Sequence, residues 1–224
     1  MARAQLILFD IDGTLIDTGG AGARSWAWAF ERLFDKRIDI AEHSTAGMTD
    51  PAIARVTFTD AIGRPPSGEE LASLMAGYQA VLPDYVASSA AYRVLPGVRE
   101  LLERLTRAGI ALGLTTGGLE AAAHAKLGRG LLNRYFPIGG YGSDSEDRVA
   151  LTRVAIGRGR RLLGSEPDPG EVFVVGDTPL DVAAAKGAGA VSVGVASGRY
   201  GVDELRSAEP DYVLASLADP FPGV

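Results

Sequence analysis

The sequence contains no cysteine in its 224 residues. Disulfide bonds, thiolate metal sites and cysteine nucleophiles are therefore excluded, and the absence of cysteine fits a reducing compartment. Histidine is scarce as well, with two in the chain, His43 and His124. Neither has carboxylates or cysteines at a spacing typical of a ligand set, so we predict no metal site at either histidine.

The sequence also lacks long apolar runs and an excess of basic residues. No apolar stretch approaches the roughly 20 residues of a membrane span. The apolar run before Asp10 is too short for the apolar region of a signal peptide. The net charge of −6 and the pI near 5.0 give no basic surface for nucleic acid or an anionic membrane. We therefore expect a soluble cytoplasmic protein without a nucleic-acid or membrane partner, whose oligomeric state the sequence does not define.

Short apolar runs alternate with helical patterns along most of the chain. Apolar residues make up 46% of the sequence, which is ordinary for a soluble globular protein. The alternation predicts an α/β fold with a doubly wound parallel sheet. The predicted strands are residues 6–9, 110–114, 136–138, 172–175, 191–195 and 212–214. The predicted helices between them are residues 98–108, 119–127, 148–163 and 180–186.

Residues 16–91 interrupt this alternation with helical patterns alone. The three patterns cover residues 21–34, 51–61 and 69–86, and the whole interval is far longer than an ordinary βα loop. Asp50 is the predicted N-cap of the second helix, and Pro83 should kink or divide the third. We interpret Trp26 and Trp28 as core residues of this segment. The predicted organisation is a core of residues 1–15 and 92–224, with a helical domain, residues 16–91, inserted after the first strand.

Carboxylates and hydroxyls follow three of the predicted strands. Asp10 and Asp12 follow the first strand, Thr116 follows the second, and Asp177 and Asp181 follow the fourth. Ligands bind beyond the carboxyl ends of the strands in an open parallel sheet, so these side chains should share one edge. Each motif alone could be a turn, a loop or a helix cap. Their joint occurrence at strand ends favours a single site.

These residue types suit phosphoryl transfer. A carboxylate can attack phosphorus and form an acyl phosphate, and a second acid can protonate the leaving oxygen and then activate water. Several carboxylates would repel a phosphate dianion unless a cation were bound, and Asp10 and Asp177 offer the ligands that Mg²⁺ prefers. Thr116 and the glycines after it can present a hydroxyl and backbone N–H groups to phosphate oxygens.

The motifs resemble the four sequence motifs of the haloacid dehalogenase superfamily, over nearly the whole chain. The resemblance is strongest to phosphoglycolate-phosphatase-like members with a helical cap between the first and second motifs. It implies a nucleophile at Asp10 and a general acid/base at Asp12. It also implies phosphate binding at Thr116 and Gly117, and Mg²⁺ ligation by Asp10, the Asp12 backbone carbonyl, Asp177 and, in or near the outer shell, Asp181.

Two positions depart from the pattern of this family. Gly118 stands where such relatives usually have asparagine. The lysine of the third motif is replaced by Arg148, because none of Lys36, Lys126 and Lys186 occupies the expected place. An arginine can bridge a carboxylate or a phosphate, so we predict a catalytic role for Arg148. The alternative is an ordinary charge in the first turn of a helix.

The segment around Thr49 resembles the specificity loop of the family's cap. Thr49 could hydrogen-bond a polar substrate end, and Arg55 could meet a substrate carboxylate, although Arg55 could equally lie on a solvated helix face. Phosphonoacetaldehyde hydrolysis is not expected, since no lysine for a Schiff base lies between Lys36 and Lys126.

The resemblance implies a Mg²⁺-dependent phosphatase acting on a small phosphorylated metabolite such as phosphoglycolate, through an aspartyl-phosphate intermediate. Two alternatives remain open at this point. A phosphomutase of the β-phosphoglucomutase type shares both aspartates of the first motif, and a catalytically silent binding protein could use the same scaffold.

Overall fold

A six-stranded parallel sheet forms the centre of the protein in the computed structural model, which describes residues 3–224. Its strand order is β5-β4-β1-β6-β7-β8, so the first strand lies in the middle, between β4 and β6. The strands are β1 (Leu6–Phe9), β4 (Ala111–Thr115), β5 (Ile138–Gly140), β6 (Val172–Gly176), β7 (Val191–Val195) and β8 (Tyr212–Leu214). The predicted fold class is confirmed.

Helices cover both faces of the sheet, and alternate residues of β1 point to opposite faces. Ile7 and Phe9 pack in one hydrophobic cluster with α4 and α5, whereas Leu6 and Leu8 pack in another with α6 and α7. This two-sided burial explains why the strands read as continuous apolar runs. The helices are α4 (Val98–Arg107), α5 (Glu120–Arg129), α6 (Arg148–Leu163), α7 (Pro179–Ala188) and α8 (Val202–Arg206).

Strand β5 begins two residues later than the predicted run at 136–138. It includes Gly139 and Gly140, which carry no apolar side chain and therefore gave no strand signal. A Cβ on Gly140 would lie 2.1 Å from the carbonyl oxygen of Leu151, so only glycine lets α6 pack this closely.

Three helices follow the first strand and form a segment that we call the helical insert. It comprises α1 (Ala21–Phe34), α2 (Asp50–Ile62), α3 (Gly68–Ser88) and their connections. A two-stranded antiparallel sheet, β2 (Ile16–Asp17) with β3 (Arg93–Val94), joins the ends of the insert. The prediction that the interval 16–91 contains no strand is therefore wrong. A two-residue strand is too short to show an alternating pattern.

The insert has a hydrophobic cluster of its own, built around Trp26, Phe30, Phe58 and Tyr78. The cluster continues through Leu119, which precedes α5, and Ala122 within α5. Trp28 is 36% exposed, so its interpretation as a core residue is wrong, while Trp26 is buried as expected. The two tryptophans lie two positions apart on α1 and consequently face different sides of that helix.

Two expectations about the helices of the insert are also affected: the predicted N-cap of the second helix is wrong, and the third helix is not divided at Pro83, while a kink there stays a prediction. Thr49, not Asp50, occupies the N-cap position of α2, and the buried Asp50 carboxylate accepts a hydrogen bond from Leu119 N at 2.9 Å. Helix α3 runs undivided through Pro83, starting from a capping box at Ser67. Across the described range, no helix combines the length and the apolar character that a membrane span requires.

Candidate active site

The three strands at the middle of the sheet end at the same edge and carry the predicted residues there. Asp10 follows β1, Thr116 follows β4 and Asp177 follows β6. Asp10, Asp177 and Asp181 each contribute a carboxylate oxygen to a cluster in which these atoms lie within 4.8 Å of one another. The sequence-based expectation that separate segments converge on one site is thus met for these side chains.

Hydrogen bonds hold two of these acids in place. Thr14 Oγ1 donates to Asp177 Oδ1 at 3.2 Å. Asp181 Oδ2 accepts from the backbone N of Thr178 at 3.0 Å and from its hydroxyl at 2.6 Å, because the pair forms the capping box of α7. The same residues therefore start the helix and orient the cluster.

Backbone lies so close to Asp177 that only glycine fits at two positions. A Cβ on Gly13 would lie 2.4 Å from Asp177 Oδ2, and Gly13 also has a φ of +84°, which favours glycine. A Cβ on Gly198, after β7, would lie 1.8 Å from the same oxygen. Gly198 is a site residue that sequence reasoning missed, since no polar side chain marks it.

Burial of the acids shifts their pKa values upward. Burial, with the charge of Asp181 next, raises the pKa of Asp10 well above its usual range, although Arg148 partly offsets this. Burial, with the charge of Asp181 next, raises the pKa of Asp177 to about 7, while the Thr14 hydrogen bond acts in the opposite direction. Packed carboxylates of this kind are costly to ionise unless a cation joins them. Their number and oxygen chemistry fit a divalent metal.

Arg148 begins α6 and extends into the acidic cluster. Its guanidinium donates to the Asp181 carboxylate and to Gly47 O, the latter at 2.9 Å, and Nη2 lies 3.6 Å from Asp10 Oδ1. Burial lowers the pKa of Arg148, but the charges of Asp181 and Asp10 outweigh it and the net pKa is raised. Its buried Nε has no hydrogen-bond partner among the described residues.

The turn after β4 lies against the insert. Thr116 Oγ1 accepts a hydrogen bond from Gly118 N at 3.2 Å, and Gly117 O accepts one from Asp50 N at 2.8 Å. A Cβ on Gly117 would lie 2.6 Å from Met48 O, so the turn and the insert loop could not approach each other this closely with a larger residue. Thr116 and Gly117 both line the cavity described below.

Lys126 is the functional candidate that sequence reasoning missed. Its Nζ lies 2.6 Å from Asp12 Oδ2, and its side chain is buried. The family pattern predicts a lysine at the third motif and none on α5, whereas Lys126 reaches the site from α5. A signal existed: Lys126 occupies the apolar face of α5 together with Ala122, Ala123 and Leu127. A lysine there needs an acidic partner.

Asp12 stands apart from the other acids. Its side chain is 46% exposed and bonds Lys126, and it is not a member of the three-carboxylate cluster. Metal binding through the Asp12 backbone carbonyl stays a prediction.

A cavity of about 310 Å³ lies between the sheet edge and the insert. Trp26 and Tyr78 stack with ring centroids 4.1 Å apart and planes 6° from parallel, and both contribute to its lining. We divide the lining into two walls. The core wall includes Asp10, Asp12, Thr116, Gly117, Lys126, Arg148 and Asp177, and the insert wall includes Trp26, Met48, Asp50, Ile53 and Tyr78.

Thr49 and Arg55 lie outside this lining. Thr49 Oγ1 donates to Glu146 O at 3.3 Å, and Arg55 Nη2 pairs with Glu146 Oε1 at 2.6 Å. Both side chains connect the insert to the loop that precedes α6. The structure does not bring them together with the acidic cluster, so their predicted substrate contacts find no support in the geometry.

A family model described as haloacid dehalogenase-like hydrolase matches residues 4–189. The chain belongs to this family. The resemblance inferred from the motifs is thereby confirmed, and the family agrees with the predicted enzyme class, a phosphoric monoester hydrolase.

Curated relatives and solved structures agree with this assignment. The chain is 30% identical to the probable phosphatase IndB of Dickeya dadantii, over 96% of this chain and 90% of that protein. It is also 30% identical to phosphoglycolate phosphatase 1 of Pseudomonas aeruginosa, over 97% and 79%. A crystal structure titled as a predicted phosphoglycolate phosphatase from Haemophilus somnus has a TM-score of 0.75 at 20% identity, covering 98% of this chain and 97% of that one. That structure supports the fold.

Proposed function

We propose that this chain is a Mg²⁺-dependent phosphatase that hydrolyses a small phosphomonoester through an aspartyl-phosphate at Asp10. The observation that carries the proposal is the buried cluster of Asp10, Asp177 and Asp181 with Arg148 against it, at the edge of a small cavity. Surface acids of this chain such as Asp203 also pair with an arginine, but they lack this burial. Asp10, Asp177 and Asp181 would hold the metal, which would supply charge neutralisation and orientation for the phosphoryl group.

The residues on the core wall fit a two-stage reaction. An Asp10 oxygen attacks phosphorus, the ester P–O bond breaks, and Asp12 gives its proton to the leaving oxygen. Asp12 then takes a proton from water as that water attacks the phosphorus of the aspartyl-phosphate. The acyl P–O bond breaks, and phosphate and the free Asp10 carboxylate are restored. Thr116 and the guanidinium of Arg148, which both line the cavity, would donate to phosphate oxygens.

The size of the cavity supports a small substrate. About 310 Å³ is at the lower end of the range of ligand pockets, roughly 300–1,000 Å³. The phosphoryl group would occupy the core wall, which leaves limited space for a leaving group against Trp26 and Tyr78. Two-carbon and three-carbon phosphorylated acids, of which phosphoglycolate is the smallest, fit this limit and agree with the names of several relatives.

The test is phosphate release from a panel of small phosphate esters, measured with Mg²⁺ and with a chelator. We expect release that requires Mg²⁺ and disappears in Asp10→Asn. Asp203→Asn is the matched control, because Asp203 is an exposed aspartate on α8 with an Arg206 partner. No release from any ester by folded, Mg²⁺-loaded protein would overturn the proposal. Phosphoryl transfer from a sugar bisphosphate without net release would instead identify a mutase.

A further inference from the structure

The contacts of Asp12 differ from those of every other acid in the site. Lys126 is the one side chain in the described part of the chain that hydrogen-bonds the Asp12 carboxylate, with 2.6 Å between Nζ and Oδ2. Asp12 itself is 46% exposed, whereas the Lys126 side chain is 8% exposed. An aspartate with that much exposure can adopt more than one rotamer, so its partner decides which one is populated.

Lys126 is held firmly enough to act as such a partner. It lies on the buried face of α5, and its charge also interacts with Tyr78 and Asp50 from the insert. Burial alone would lower the pKa of Lys126, but the interactions of its ammonium group, with the charge of Asp12 first among them, outweigh burial and raise the pKa well above its usual range. The ammonium therefore carries its charge at neutral pH. Tyr78 is fixed in turn by stacking on Trp26.

Stability explains a lysine at this position only in part, since its charge also offsets that of the buried Asp50. Burying an ammonium group is costly, and apolar replacements of buried ion pairs are often neutral or stabilising. Ala122, Ala123 and Leu127 show that the surrounding face of α5 is otherwise apolar. Asp12 is 46% exposed, so it could be hydrated without a partner. What Lys126 adds is a fixed direction for the carboxylate.

We propose that Lys126 is a positioning residue, which holds the Asp12 carboxylate in the orientation needed for proton transfer to the leaving oxygen. The inference rests on the proposed function, since it assigns the acid/base to Asp12. Lys126 reaches Asp12 from α5, and Arg148 reaches Asp10 and Asp181 from α6. The two basic side chains thus hold different acids: Lys126 orients the acid/base Asp12, and Arg148 lies beside the nucleophile Asp10.

Leaving groups of different basicity separate this role from a structural one. An alkyl phosphate needs a proton on its leaving oxygen, whereas p-nitrophenolate departs without one. The kcat/KM reports steps up to the departure of the leaving group, so it isolates the acid role of Asp12 from its later role as base. A residue acting through Asp12 should therefore affect kcat/KM for the alkyl ester selectively.

The experiment compares kcat/KM for phosphoglycolate and for p-nitrophenyl phosphate in wild type, Lys126→Met, Asp12→Asn and the double variant. We expect Lys126→Met to lose about tenfold or more on phosphoglycolate and less than about threefold on p-nitrophenyl phosphate. The double variant should be no worse than Asp12→Asn alone, because the lysine acts through the aspartate. Lys126→Gln, which keeps an N–H donor, should lie between wild type and Lys126→Met and serves if the methionine variant does not fold.

Lys186→Met is the matched control, since Lys186 donates to Ala208 O at the exposed end of α7. Equal losses on both esters, or additive losses in the double variant, would overturn the positioning role. If wild type hydrolyses neither ester, the proposed function itself fails, and this outcome is distinct from the others.

Discussion

The two walls of the cavity are built in different ways. The core wall gathers acids and a hydroxyl from the ends of three adjacent strands and basic side chains from two helices, and Asp10 and Asp177 lie clustered with Asp181 beside Arg148. The insert wall is mostly apolar, with Trp26, Met48, Ile53 and Tyr78 around the single acid Asp50. The contrast indicates that the core wall carries out the chemistry, while the insert wall selects which leaving group fits.

The two walls also differ in their contribution to the stability of the folded protein. On the core wall, buried like charges oppose folding until a cation binds, as the raised pKa values of Asp10 and Asp177 indicate. On the insert wall, stacked rings such as Trp26 and Tyr78 contribute favourable burial and packing. Substitutions on the core wall should therefore change activity and metal dependence strongly. Substitutions on the insert wall should change substrate preference.

The largest effect is expected from removal of the nucleophile on the core wall. Asp10→Asn should lower kcat by about a thousandfold or more, since the attacking carboxylate is lost. It should also raise the melting temperature of the metal-free protein, because one of the mutually repelling buried acids becomes neutral. Phosphate release and thermal melts in chelator measure the two effects. A variant that loses activity together with stability would contradict this account of the cluster.

The next largest effect is expected on stability at Arg148. Arg148→Met leaves Asp181 and Asp10 without their basic partner in a buried site, which should cost roughly 3–5 kcal/mol in the free energy of unfolding. Urea denaturation of the metal-free protein measures this loss, and Mg²⁺ should recover part of it. Arg153→Met on the same helix is the control, because Arg153 is exposed and bonds Gly187 O. A loss as small as that of the control would show that Arg148 is not needed to balance the acids.

A smaller and more selective effect is expected on the insert wall. Ile53→Ala enlarges the space opposite the core wall, so kcat/KM should fall about tenfold for the smallest ester and less for bulkier ones. Val56→Ala on the same helix is the matched control, since Val56 is 38% exposed and does not line the cavity. Rates across a series of alkyl phosphates of increasing size give the comparison. An equal loss for every ester would contradict a selective role for this wall.

The smallest expected effect is a pH dependence of stability in the metal-free protein. Asp177 has a pKa of about 7 in the folded protein against 3.8 for the free group, so the folded state binds its proton more tightly. Its stabilising contribution is present below about pH 4 and is lost as the pH rises towards about 7. Melting temperatures in chelator should fall by a few degrees across this window, beyond the fall shown by Asp177→Asn. Saturating Mg²⁺ should remove the difference, and an identical pH profile for both proteins would contradict the assignment.

How far each wall can be predicted from the sequence depends on how the wall is built. Asp10, Thr116 and Asp177 could be placed from the sequence, because parallel strand ends meet at one edge and short motifs mark them. The sheet and its helices can also be predicted, because apolar runs and helical spacing are visible in the sequence. These patterns involve only residues that are close in the sequence, so no knowledge of the folded chain is needed to recognise them.

The remaining features depend on contacts between distant segments. The role of Lys126 cannot be predicted from local pattern, because its partner Asp12 is 114 positions away and α5 turns Lys126 towards the site only in the folded chain. Thr49 and Arg55 were assigned to substrate from the resemblance, but their side chains meet Glu146 across the boundary of the insert. The pair of strands β2 and β3 was missed because two residues show no period. Each case requires knowledge of how the insert packs on the core.

The most direct test of the account is the detection of a phosphoryl group on Asp10. Mg²⁺-loaded protein is mixed with p-nitrophenyl phosphate, quenched in acid, digested and analysed by mass spectrometry. Asp12→Asn is run alongside to slow hydrolysis of the intermediate. The account predicts a phosphoryl adduct on the peptide that contains Asp10, more abundant in Asp12→Asn and absent in Asp10→Asn. Turnover by wild type without any adduct in either protein would mean that water attacks the ester directly, which would contradict the role given to the core wall.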